Sequence, residues 1–192
     1  MPILASFSLK GGVGKTTTAV NLAFASAAAG RRTLLVDLDA QGAASFYFRI
    51  RPDDKLGSRR FLNSKKRLLA AIKGTDYERL DLLPAHRSFR NFDLELSRFK
   101  RPQAMLAHVL RLLCKEYEAV ILDCPPNGSL LSESICAAAD LVLVPMIPTA
   151  LCRRTCDQLL DMCQRNGLSA ALLRSFFSMV KPGDEYQRKM ME

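Results

Sequence analysis

Apolar stretches of two kinds alternate along this chain. Residues 3–9 form a short apolar run of strand character that ends in Lys10-Gly11-Gly12. Residues 15–29 are rich in alanine and read as a helix stopped by Gly30. A second strand is predicted at 33–36, ending at Asp37, and another at 80–83, closed by Pro84. Between them, 42–79 reads as irregular apart from a helix at 65–73 before Gly74. In 101–117, Met105, Leu106, Val109, Leu112 and Leu113 recur at helical spacing. A strand at 119–122 delivers Asp123, 129–139 is helical in character, and 141–144 is again a strand. A helix at 155–164 ends near Gly167, and a last strand at 172–180 is broken by Lys181-Pro182-Gly183. The alternation predicts an α/β fold: a mostly parallel, twisted sheet with helices on both faces.

The final residues, 184–192, look like the start of a helix, acidic first and basic later, with almost no apolar face and no capping residue. We expect one domain spanning 1–192 that stops short of its natural C-terminal end.

Composition narrows the class. At 192 residues, 48% hydrophobic and 24% charged, the chain suits a globular protein with a sizeable core. The longest apolar runs are about seven residues, too short for a membrane-spanning helix. The N-terminus lacks the basic start and cleavage site of a signal peptide. Six cysteines crowd the second half with no C-x-x-C pair, and only His86 and His108 are present, so neither a disulfide framework nor a Cys/His zinc site is expected. The expected setting is reduced and cytoplasmic.

The net charge of +9 is uneven. Residues 49–67 hold eight basic side chains against Asp53 and Asp54. Such a run is either a solvated loop or a surface for a polyanion such as a phosphate backbone. Phe46, Tyr47, Phe48 and Phe61 flank it, but none is interleaved for base stacking.

The strongest chemical signal is Lys10-Gly11-Gly12-Val13-Gly14-Lys15-Thr16-Thr17, lying between a strand and a helix. Small residues at Gly11, Gly12 and Gly14 let backbone N–H groups close around a phosphate. The helix beginning near Lys15 adds its positive end. Lys15 supplies a cation for the β- and γ-phosphates, and the Thr16 hydroxyl can ligate Mg²⁺. The general pattern G-x-x-x-x-G-K-[ST] wants glycine where Leu9 stands. Instead a second lysine, Lys10, sits at the loop's mouth, better placed to project toward another molecule than into its own phosphates.

This run resembles the deviant Walker A motif of the ParA/MinD family of P-loop ATPases. The resemblance implies an ATP-sandwich homodimer in which Lys10 reaches the partner's nucleotide, much as an arginine finger does. Asp37-Leu38-Asp39-Ala40-Gln41 is similar to the family's first switch, D-x-D-P-Q, with Ala40 in place of the proline. By that likeness Asp39 positions the attacking water, and Asp37 helps organise Mg²⁺ or the switch. The local alternative for each is a strand-end aspartate bonding nearby backbone. Ala119–Asp123 followed by Cys124-Pro125-Pro126 looks like Walker B and the second switch, with the Asp123 carboxylate accepting a Mg²⁺-bound water. Cys124 reads as a small packing residue rather than a nucleophile. The segments 80–96, 138–149 and 176–182 are also similar to family segments. The last of these places Met179, Lys181 and Pro182 beside the adenine.

The resemblance thus implies an ATP- and Mg²⁺-dependent ATPase that distributes a plasmid, chromosome or protein-organelle cargo. ATP would drive dimerisation and non-specific DNA binding, and an adaptor protein would stimulate hydrolysis to ADP and phosphate. The location would be the cytoplasm, on the nucleoid, without membrane attachment. Arg153, Arg154, Arg174, Lys181, Arg188 and Lys189 are the DNA-contact candidates. The alternatives are a MinD-like membrane-associated ATPase and a metabolic ATP-dependent enzyme of the same fold.

Overall fold

The computed structural model describes residues 2–52 and 54–191. In chain order its strands are β1 (Ile3–Ser6), β2 (Thr33–Asp37), β3 (Lys73–Gly74), β4 (Leu80–Leu83), β5 (Ala119–Asp123), β6 (Leu141–Met146) and β7 (Leu173–Phe177). The helices are α1 (Lys15–Ala28), α2 (Ala43–Tyr47), α3 (Gly57–Asn63), α4 (Lys65–Ala70), α5 (Phe92–Leu96), α6 (Pro102–Leu113), α7 (Leu130–Ala138), α8 (Leu151–Arg165) and α9 (Glu185–Met191). The strands form a single sheet in the order β3-β4-β2-β5-β1-β6-β7. Every pairing is parallel except the short β3 against β4.

Strand periodicity divides the core in two. On β2 and β5, Leu34, Val36, Val120 and Leu122 join a large cluster with Phe7, Leu106, Leu110 and Leu113. Leu35 and Ile121 turn to the other face, where Ala19, Ala23 and Ala27 of α1 cover them. Alanines four residues apart put one narrow face of α1 close against the sheet. The helix ends where Gly30 adopts φ +86° and its N–H reaches the Ala27 carbonyl at 2.8 Å. Both faces of β2 and β5 are covered, and each leucine-sized side chain so buried contributes about 1.5–3 kcal/mol.

Three expectations change. The stretch 42–79 is more ordered than expected: the predicted helix forms as α4, ending at Ala70, and α2, α3 and β3 form besides it. Leu56, Phe61, Leu62 and Leu68 from it are buried, and the Phe61 ring packs edge-on against Phe89 and Phe92 at centroid distances of 5.6 and 5.1 Å. The basic run is therefore the outer side of core-anchored helices. The helix expected at 155–164 starts earlier, at Leu151, which brings Cys152, Arg153 and Arg154 into its first turn. The last strand stops at Phe177, because Met179 takes φ +53°, a left-handed conformation that no strand continues. The C-terminal helix forms as α9; Glu192 lies outside the described residues.

Candidate active site

The central strands β1, β2 and β5 end together, and the chemistry-bearing residues cluster there. In the register of the sheet, Asp123 stands beside Asp37 on one side and Ser6 on the other. Brought to the carboxyl edge of a parallel sheet, such residues face the crevice where α/β folds take their ligands.

The loop from Leu9 to Gly14 leaves β1 and enters α1. Gly14 holds φ +97°, a conformation that a side chain would strain, and an added Cβ would meet Met179 Cε at 3.9 Å. At Gly11 and Gly12 a Cβ would meet nothing within 4 Å, so these positions face open space. The N-terminus of α1 has no side-chain cap. Its first N–H groups, lacking intrahelical partners, are free to serve an anion. Two hydroxyls brace the loop. Ser6 Oγ donates to the Lys15 carbonyl at 2.8 Å, and Ser178 Oγ, from beyond β7, donates to the Val13 carbonyl at 2.7 Å.

Lys15 is 7% exposed, and its Nζ donates to the Lys10 carbonyl at 3.2 Å. Burial lowers its pKa, while Asp123, Asp39 and Cys124 oppose that drop. Asp123 is fully buried, and neither carboxylate oxygen has a hydrogen-bond partner. Burial first, then the neighbouring Asp37, pushes its pKa up to about 7; the Thr16 hydroxyl tempers the rise from outside hydrogen-bond geometry. A buried, unbonded carboxylate costs several kcal/mol unless a cation or proton meets it. The Thr16 hydroxyl and the Asp123 carboxylate are the hard oxygen donors that suit a dication keeping its waters.

Asp37 is also fully buried but well bonded. Its Oδ2 accepts the Ser45 N–H at 2.8 Å and the Ser45 hydroxyl at 2.7 Å, and its Oδ1 accepts the Asp39 N–H at 3.3 Å. Burial raises its pKa to about 6, with the Ser45 bonds pulling the other way. Ser45 Oγ in turn accepts the Ala85 N–H at 3.0 Å, so Asp37 is tied through α2 to the end of β4. Asp39 is half-buried; its Oδ1 accepts the Gln41 N–H at 2.9 Å and its carbonyl the Gly42 N–H at 2.9 Å. These bonds shape the turn where the family's proline is absent. Cys124 is fully buried, with burial holding its thiol well above the ordinary value, as befits a packing residue.

Other expected residues are spread more widely. Val13 is buried and Thr17 exposed. Met179 lies over Gly14, whereas Lys181 and Pro182 form an exposed turn held by α9, where Gln187 Oε1 accepts the Lys181 N–H at 2.8 Å. Arg153, Arg154, Arg174, Arg188 and Lys189 are exposed on α8, β7 and α9. The Arg174 guanidinium donates to the Ala171 and Leu173 carbonyls, and Arg188 faces Glu185 at 3.8 Å. Ser6, Ser45 and Ser178 are the supporting residues that sequence reasoning missed. Ser178 lies inside a segment flagged by resemblance, but nothing local marks Ser45.

Among the described residues no group of three or more His, Cys, Asp or Glu side chains is placed to hold a metal, and no helix is long and apolar enough to cross a membrane.

Comparison with known proteins agrees with this geometry. A family model described as an AAA domain, AAA_31, matches residues 1–169. The chromosome partitioning protein ParA of Myxococcus xanthus is 41% identical over 139 residues, which cover 71% of this chain and 49% of that protein. The sporulation initiation inhibitor protein Soj of Bacillus subtilis is 36% identical over 145 residues, covering 75% of this chain and 57% of its own length. The chain thus spans about half the length of the curated relatives it matches. Among solved structures, cobyrinic acid a,c-diamide synthase of Mycobacterium smegmatis, with bound ADP and magnesium, superimposes with a TM-score of 0.87 at 28% identity, covering 100% of this chain and 80% of that one. The chain belongs to the AAA_31 family of AAA domains and, within it, to the ParA/Soj partition type of P-loop NTPases.

Proposed function

We propose that this chain is the nucleotide-binding part of a partition or positioning ATPase. The observation that carries the reading is Asp123, a buried carboxylate with both oxygens unbonded, at the foot of an uncapped helix and beside a buried lysine. That combination calls for a cation at the carboxylate and an anion at the free N–H groups of the helix.

In this reading the N–H groups from Lys10 to Thr17 cradle the phosphates of ATP, and Lys15 balances the β- and γ-charges. Thr16, Asp123 and Asp37 would hold Mg²⁺. When bound, the ion neutralises charge on the phosphate oxygens. Asp39 orients the water that attacks the terminal phosphorus as ADP leaves. Lys10 of a second subunit completes the charge balance in trans. Met179, Lys181 and Pro182 border the base. Arg153, Arg154, Arg174, Lys181, Arg188 and Lys189 contact DNA phosphates in the ATP-bound homodimer, and an adaptor protein accelerates turnover.

Lys15→Ala is the direct test. Nucleotide binding should be abolished in the variant, measured with a fluorescent ATP analogue; unchanged affinity would remove the P-loop assignment. The likeness to a synthase at 28% identity makes a metabolic enzyme the second reading. Turnover by the purified chain with Mg²⁺·ATP and no added metabolite favours partition, and turnover that requires a small-molecule acceptor favours the synthase.

A further inference from the structure

Three sulfur atoms converge where β6 ends and α8 begins. Cys156 Sγ lies 3.0 Å from Met146 Sδ, and Cys152 Sγ lies 3.7 Å from the same atom. The two cysteines are four residues apart on α8, hence on one face. Both are free thiols of intermediate exposure.

Beside Met146 and Cys152 is a small cavity, with room for about one water molecule, bordered also by Thr149 and Lys10. The Thr149 hydroxyl is buried with no hydrogen-bond partner. An apolar contact would be served by any side chains of this size. Two thiols within 3.7 Å of one thioether sulfur, with a cavity beside Met146 and Cys152, are a ligand set.

The donor types select the guest. Thioether sulfur is a poor partner for Zn²⁺, which also wants four N, O or thiolate ligands. Thiolate and thioether together favour soft monovalent cations. We propose that Met146, Cys152 and Cys156 form a three-sulfur site for such an ion, Cu(I) or Ag(I). Binding releases the two thiol protons to solvent, leaving two thiolates and one thioether on the metal. The occupied site pins the first turn of α8 to the end of β6, next to the wall of the glycine loop. The inference is independent of the nucleotide reading.

The probe is Cu(I) supplied anaerobically as its bicinchoninate complex, with the whole chain as competitor. The chain should withdraw one Cu(I) per molecule. Cys152→Ser/Cys156→Ser should withdraw none, Met146→Leu should bind at least about tenfold more weakly, and Cys114→Ser should match the parent. No withdrawal by the parent, or equal withdrawal by the double variant, overturns the site. Should the double variant misfold, X-ray absorption on selenomethionine-labelled protein loaded with Cu(I) decides. A selenium neighbour of copper that disappears in Met146→Leu supports the site, and a copper shell without selenium refutes it.

Discussion

Asp123→Asn should stabilise the nucleotide-free protein at pH 8, and its stability relative to the parent should rise with pH. The carboxylate is fully buried without a hydrogen bond, and its pKa rises from an ordinary 3.8 to about 7. Because the folded value exceeds the unfolded one, the native state binds the proton more tightly. The stability this confers is fully present below about pH 4 and is lost as pH climbs through 7. Linkage puts the loss at about 1.7 kcal/mol at pH 5 and about 4 kcal/mol at pH 8. Asparagine has nearly the same shape and no charge, so it escapes this loss. Its buried amide carries its own cost of about 1–3 kcal/mol, the same at both pH values. The pH-dependent part of the gain is thus about 2–3 kcal/mol between pH 5 and pH 8. Asp37 titrates in the same direction, with its pKa near 6, and the two carboxylates share part of the effect. The assay is urea unfolding of both proteins in EDTA at the two pH values. A difference between variant and parent that does not change with pH refutes the reasoning. With Mg²⁺ and nucleotide added, only the parent should gain further stability.

Two more outcomes follow from the loop. Lys10→Ala should keep ATP binding but lose dimerisation or hydrolysis, read by light scattering and phosphate release; a fully active variant would remove its role in trans. Ser178→Ala deletes the 2.7 Å bond to the Val13 carbonyl, and should cost about 1 kcal/mol of stability and weaken nucleotide binding several-fold by isothermal titration. A variant that keeps full nucleotide affinity would show that the loop holds its shape without that brace.

Much of this was readable in the chain because the informative residues are local. Lys10 to Thr17 carry their geometry in eight consecutive positions, and Asp37 and Asp123 each follow an unbroken apolar strand. Leu80–Leu83 was bounded correctly because Pro84 closes it. The basic stretch misled because its apolar anchors, Leu56, Phe61, Leu62 and Leu68, keep no single period, and Phe61 packs on Phe89 and Phe92, nearly thirty residues or more away in sequence. Helix ends blurred where no cap marks them: α8 begins at Leu151 without a side-chain cap. The brace from Ser178 joins residues 165 apart, and the Met146 contacts join a strand end to a helix face. Neither pairing leaves a trace in local spacing.

The most direct test of the central claim is retention of non-specific DNA at low salt, measured side by side with Mg²⁺·ATP and Mg²⁺·ADP. The account predicts DNA binding with ATP alone, falling steeply as salt is raised through counterion release. Equal retention with ADP, or no retention with ATP at low salt, would contradict it.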